Sequence, residues 1–199
     1  MSEAAALKKQ SVIYGVILGI VSLVVGIIQV YVSINLSSLV SLTVVSVLLN
    51  FVVFISLSCY FIVQLRKLNG GYWSFSAALK NIFIMLAIST VISVSGMSIF
   101  NAVNPVPQEQ VINNTMNLTI ETMENSGVDD EQIDSIIAEI EKGKEQIGVF
   151  SIGTIVKGIL ITLLIYFVLS LLLAAVFKKE KPVFQKQDNL GDPNPWQGQ

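Results

Sequence analysis

The sequence predicts an all-α integral membrane protein with four transmembrane helices and a short helical hairpin between the third and fourth. Three observations carry that reading. From Ser11 to Leu65 there is not one Asp, Glu, Lys or Arg. Of the 199 residues, 53% are hydrophobic and only 13% charged, with mean hydropathy +0.70; soluble domains carry about twice that charged share. The charges that exist collect at the ends of apolar stretches, as expected where lipid excludes them.

At about 1.5 Å rise per residue, the charge-free run is too long for one crossing of a hydrocarbon core about 30 Å thick. Lipid obliges it to satisfy its backbone internally, so it forms two helices. Residues 1–10 are a short polar lead containing Lys8 and Lys9. The apolar run after them exceeds a signal-peptide core and is followed by no cleavage pattern, so it reads as an uncleaved first span. That span covers about 12–34. Asn35-Leu36-Ser37-Ser38 suits a tight turn, and the second span covers about 39–65.

Arg66 and Lys67 stop the second helix, and Asn69-Gly70-Gly71 supplies a backbone free to reverse. Tyr72 and Trp73 then stand where an interfacial aromatic belt is expected. The third span covers about 75–100 and ends at Asn104-Pro105-Val106-Pro107, since proline cannot continue a helix. Residues 101–147 hold ten acidic residues against Lys142 and Lys144, a net charge of −8. Ile112, Met116, Ile120 and Met123 share one helical face, and Ile133, Ile136, Ile137 and Ile140 repeat the pattern after Ser126-Gly127. Two amphipathic helices joined by a turn are expected, with Asp129 capping the second. The fourth span covers about 150–177. A four-span membrane domain thus occupies 11–182, and the proline- and asparagine-containing tail at 183–199 reads as disordered.

Four crossings put both termini on one side, together with Lys8, Lys9, Arg66, Lys67, Lys178 and Lys179. Basic flanks mark the cytoplasm. The termini are therefore expected in the cytoplasm, and the acidic loop 101–147 outside it.

The chain has no His, and its one cysteine is Cys59. A Cys/His zinc site, an intrachain disulfide and a His-assisted nucleophile are thereby excluded. No catalytic, cofactor-binding or metal-ligating set emerges, and none is expected; nor is a nucleic-acid partner. In the first span Gly15, Gly19, Ser22 and Gly26 share a face, where small residues let backbones approach closely. Packing within the chain is the expected use, a homo-oligomer the alternative. Thr43, Ser46 and Asn50 line one face of the second span, and Ser89, Ser93 and Gly96 one of the third. Asn50 near mid-membrane calls for an interhelical hydrogen bond. Lys80 and Lys157 are the only charges inside predicted spans and are functional suspects on that ground. Each, however, has 20 uncharged residues beyond it (81–100 and 158–177), so each can reach an interface by its flexible stem. A pairing of Lys157 with a carboxylate of the acidic loop is a further expectation. The acidic loop itself suits a docked protein partner or a weak cation site, although it lacks an Asp-x-Asp-x-Asp-Gly calcium pattern.

Tyr14-Gly15, Asn69-Gly70-Gly71-Tyr72-Trp73-Ser74-Phe75, Ala78-Leu79-Lys80, Gly127 to Ile133 and Lys178 to Pro182 together resemble a bacterial membrane-protein family catalogued as domain of unknown function 4199. The likeness covers about residues 8–182. It implies a four-span protein of the bacterial inner membrane and brings no established activity, so no functional residue carries over. The expected function is non-enzymatic: a structural, accessory or interaction protein. The alternative is an oligomeric transporter or channel subunit for a small solute or ion, with Asn50 and the serine faces lining a path.

Overall fold

The computed structural model describes residues 3–144 and 151–180, and within them the chain is helical throughout. The tail expected to be disordered lies outside the described residues. The elements are α1 (Glu3–Ser33), α2 (Leu39–Ser46), α3 (Val53–Leu68), α4 (Phe75–Val103), α5 (Val106–Asn125), α6 (Asp130–Lys144) and α7 (Ile152–Phe177). A π-helical segment, Val47–Val52, joins α2 to α3. The helix therefore runs unbroken over Leu39–Leu68 and makes the second span. With Ala5–Ser33, Phe75–Val103 and Ile152–Phe177, it gives four helices long and apolar enough to cross a membrane. This is the architecture of a multi-pass membrane protein.

The span boundaries follow local chemistry. Ser38, Ser74 and Ser151 each precede a helix in extended conformation, and their side chains accept from the backbone N–H groups of Ser41, Ala77 and Thr154. Such caps satisfy orphan donors that lipid cannot. Between α3 and α4 the reversal uses φ values of 71° at Gly70 and 81° at Gly71, a region that costs glycine little. The Asn69 side chain donates to the Tyr72 carbonyl at 2.6 Å and closes the turn. The polar lead differs from expectation in being helical from Glu3, so α1 begins ahead of its apolar stretch.

α4 is the central helix, packing most extensively on α1 and next on α7, while α3 packs on α1. Small residues determine the α1–α4 approach. A Cβ on Gly15 would stand 2.6 Å from the Met85 carbonyl oxygen, and one on Gly19 would stand 2.9 Å from Ile92 Cβ and 3.1 Å from Ser89 Cα. The seam continues at Gly26, against the tip of Met97, and in reverse at Gly96, which receives Leu23. The small face of α1 is thus turned to α4 of the same chain. In lipid, where helices gain no hydrophobic contrast, this close contact supplies dispersion attraction.

The buried core lies toward one end of the bundle. Leu7, Phe61, Ile62, Leu65, Trp73, Ala78, Ile82 and Met85 meet there with Leu173 and Ala174 of α7. Ser11 in the same region places its hydroxyl 3.0 Å from the Leu7 carbonyl and 3.1 Å from Asn81 Oδ1. Trp73 is a correction to the aromatic-belt expectation, being only 1% exposed. The reason is a two-bond clamp: the Trp73 N–H donates to the Lys179 carbonyl at 2.6 Å, and the Lys179 N–H returns to the Trp73 carbonyl at 2.8 Å. The chain leaving α7 thereby presses the indole inward. Lys179 Nζ lies 5.6 Å from the centre of the Tyr72 ring, within cation–π range.

Candidate functional site

The other end of the bundle is built differently. Every residue of α2 and the π segment keeps part of its surface exposed. α7 packs along α4 and meets the second span through Phe54 and Tyr166, stacked at 5.2 Å between ring centres. A cavity of about 840 Å³ opens between these helices. Its wall comes from the α1 stretch Leu18 to Gly26, the Ser46 to Leu57 stretch of the second span, the α4 stretch Ser93 to Asn101, and Ile165, Tyr166 and Leu169. This volume falls within the range of about 300–1,000 Å³ usual for small-molecule sites.

Among the described residues the cavity wall holds no charged side chain, and its polar groups are hydroxyls and amides. Most of them are already paired. Gln29 Nε2 of α1 donates to Ser46 Oγ at 2.7 Å, which ties the first span to the second. Asn50 Nδ2 donates to the Ser46 carbonyl of its own helix at 3.2 Å. The interhelical bond expected of Asn50 is therefore made one turn earlier, by Gln29 and Ser46. Asn50 stands within the π segment and faces the cavity. Ser93 Oγ donates to the Thr90 carbonyl and Ser98 Oγ to the Val94 carbonyl. Asn101 Oδ1 is buried and without a donor. Leaving such an oxygen unsatisfied costs about 1–3 kcal/mol.

Of the other residues singled out from sequence, Ser22 and Gly26 border the cavity, while Gly15 and Gly19 belong to the tight α1–α4 contact. Ser89 is buried with its Oγ unpaired, and Thr43 is exposed. Lys80 and Lys157 are exposed, each near the beginning of its helix. Among the described residues neither lysine forms an ion pair, so the expected pairing of Lys157 with the acidic loop is not made there. Gln29 and Asn101 were missed. Their one sequence signal was being amides within or at the end of an apolar helix, where each has to find a partner.

The α5–α6 hairpin closes over this end. Asn114 Nδ2 donates to the carbonyls of Ser33 and Leu36, at 3.0 and 2.8 Å, and so caps the turn between α1 and α2. Leu118 and Ile133 are buried. Lys144 Nζ reaches Asn113 Oδ1 at 2.8 Å and joins the two helices. Asp129 directly precedes α6, its carbonyl accepting from Gln132 and Ile133. Glu121, Glu124, Asp130, Glu131, Asp134, Glu139 and Glu141 all face solvent. Among the described residues there is no cluster of three acidic or sulfur ligands able to hold a metal ion.

Residues 13–179 match the model of a protein family described as a protein of unknown function, DUF4199. Neither the curated proteins nor the solved structures compared with the chain gave a match. The matched region runs from the first span to the Trp73–Lys179 clamp, and the chain belongs to the DUF4199 family.

Proposed function

We propose that the protein is a non-enzymatic structural or accessory protein of the bacterial inner membrane, with both termini in the cytoplasm and the α5–α6 hairpin in the periplasm. Its action on this reading is to dock a protein partner on the hairpin. The observation that carries the reading is the fixation of the hairpin by Asn114, which turns an acidic segment into a platform of defined orientation. A basic partner surface suits it, because complementary charge speeds encounter and selects against acidic competitors. The orientation is supported by the basic residues at the opposite end of the bundle, Lys8, Lys9, Arg66, Lys67, Lys178 and Lys179.

Crosslinking in living cells followed by co-purification, with the full chain and with a chain lacking residues 105–145, tests the docking role. Loss of a specific partner on deletion is expected, and an unchanged set of partners sinks the proposal. Reporter fusions at Asn125 and Gln199 test the orientation, and a cytoplasmic signal at Asn125 reverses it. A second reading, the oligomeric transporter or channel subunit, has the exposed row of Thr43 and Asn50 in its favour. A monomer in native membranes counts against it.

A further inference from the structure

We propose that the protein forms a homodimer in the membrane through the exposed face of its second span, Asn50 hydrogen-bonding to Asn50 of the partner subunit across a two-fold axis. The inference goes beyond the docking role of the hairpin and rests on a different face. Position is the first argument. Asn50 lies eleven residues past Leu39, about 17 Å along the helix and so near the middle of a hydrocarbon core about 30 Å thick. Its side chain borders the cavity yet remains exposed, and lipid tails offer an amide neither donor nor acceptor. One amide N–H goes to the Ser46 carbonyl. The second N–H and Oδ1 make no hydrogen bond among the described residues. Thr43, two turns earlier, is exposed as well, and its hydroxyl is likewise unpaired among the described residues.

Symmetry is the second argument, and it selects a second copy of this chain. Two copies of one sequence insert with the same orientation, because the same flanking charges direct both. A closed pair then has its two-fold axis along the membrane normal, so the facing spans run parallel and each residue on the seam meets its own counterpart. A carboxamide is its own complement. The free N–H of each Asn50 meets Oδ1 of the other, giving two reciprocal bonds at one depth. Spacing is the third argument. Val40, Thr43, Val47 and Asn50 follow at steps of three, four and three, the a/d pattern of a left-handed helix pair. The two valines are 74% and 50% exposed, and with Asn50 also exposed the row holds across the start of the π segment. The span has room for a partner. None of its most apolar 18 residues is buried, whereas the other three spans bury between 17% and 28% of theirs.

The test reconstitutes the full chain alone in phospholipid vesicles and counts subunits by single-molecule photobleaching over a range of protein-to-lipid ratios. A monomer–dimer equilibrium is expected. Asn50→Leu removes the amide and keeps the span apolar; it should raise the dimer dissociation constant about five- to tenfold, as for the loss of two interhelical hydrogen bonds. Asn50→Gln, which returns an amide on a longer stem, should recover most of that loss. Single cysteines in a Cys59→Ser background map the face independently in native membranes. Thr43→Cys and Val47→Cys should form intermolecular disulfides under mild oxidation, and Leu164→Cys, 71% exposed on α7, should not. This map leaves Asn50 in place and decides the matter should Asn50→Leu fail to insert. A monomer at every ratio, subunit counts centred above two, a dissociation constant unchanged by Asn50→Leu, or crosslinking at Leu164→Cys as strong as at Thr43→Cys and Val47→Cys would each overturn the proposal.

Discussion

The two ends of the bundle are made from the same four helices and the same small vocabulary of apolar side chains, yet they pack in opposite ways. At the end bearing Trp73, glycine meets backbone, and side chains of all four spans converge in one buried cluster. At the hairpin end, glycine meets the flexible tips of Met97 and Leu23, a π segment interrupts the second span, and the helices part around 840 Å³ of space. The difference teaches where rigidity and accommodation reside. A close-packed core transmits and resists strain, whereas π segments are frequent at functional sites because they widen a helix at a local cost. The closed end acts as the anchor, and the hairpin end is free to hold something.

Trp73→Ala attacks the closed end directly and has the largest expected effect. Loss of a buried tryptophan costs about 3–5 kcal/mol, read as a lowered midpoint in denaturant titration of the reconstituted protein. A cost below about 1 kcal/mol would show that burial of the Trp73 indole contributes little to the closed end. Gly15→Ala comes next, at about 1–3 kcal/mol by overpacking, because the Met85 backbone oxygen it meets cannot turn aside. Asn114→Ala removes two hydrogen bonds from the hairpin, about 0.5–1.5 kcal/mol each. Faster amide exchange and protease cleavage in α5 are expected, with the unfolding midpoint of the four-span bundle unchanged. Gly26→Ala has the smallest effect, about 0.5 kcal/mol or less, since its new methyl meets only the end of the Met97 side chain. Equal losses for Gly15→Ala and Gly26→Ala would erase the contrast between the two ends.

Much of this fold was legible in the sequence because lipid leaves few options. Four apolar stretches had to be helices, the glycines and prolines marked their connections, and the charges separated the two ends. The α5–α6 hairpin was legible from its repeated isoleucine and methionine spacing. The candidate site was legible only in part. Ser22, Gly26 and Asn50 were singled out as packing groups, but nothing in their spacing predicted a cavity, which depends on how far α7 leans from the second span. The π segment was equally hidden, since Val47 to Val52 reads as ordinary apolar helix. Trp73 misled for a physical reason. An indole after a basic pair satisfies the rule for an interfacial aromatic, and only the return of the chain at Lys179, more than a hundred residues later in sequence, covers it.

That return has a consequence for biosynthesis. Ser170, Leu173 and Ala174 of α7 are buried in the finished bundle, yet they are made last among the spans. At about 5–20 residues per second, the stretch from Val103 to Lys179 takes on the order of several seconds to emerge from the ribosome. Throughout that interval α1, α3 and α4 stand in the membrane with the face destined for α7 uncovered. Lipid or an insertion factor must shield it, and the nascent protein is most open to proteases then. Chains truncated before Ile152 should be degraded far faster than chains that reach Lys179.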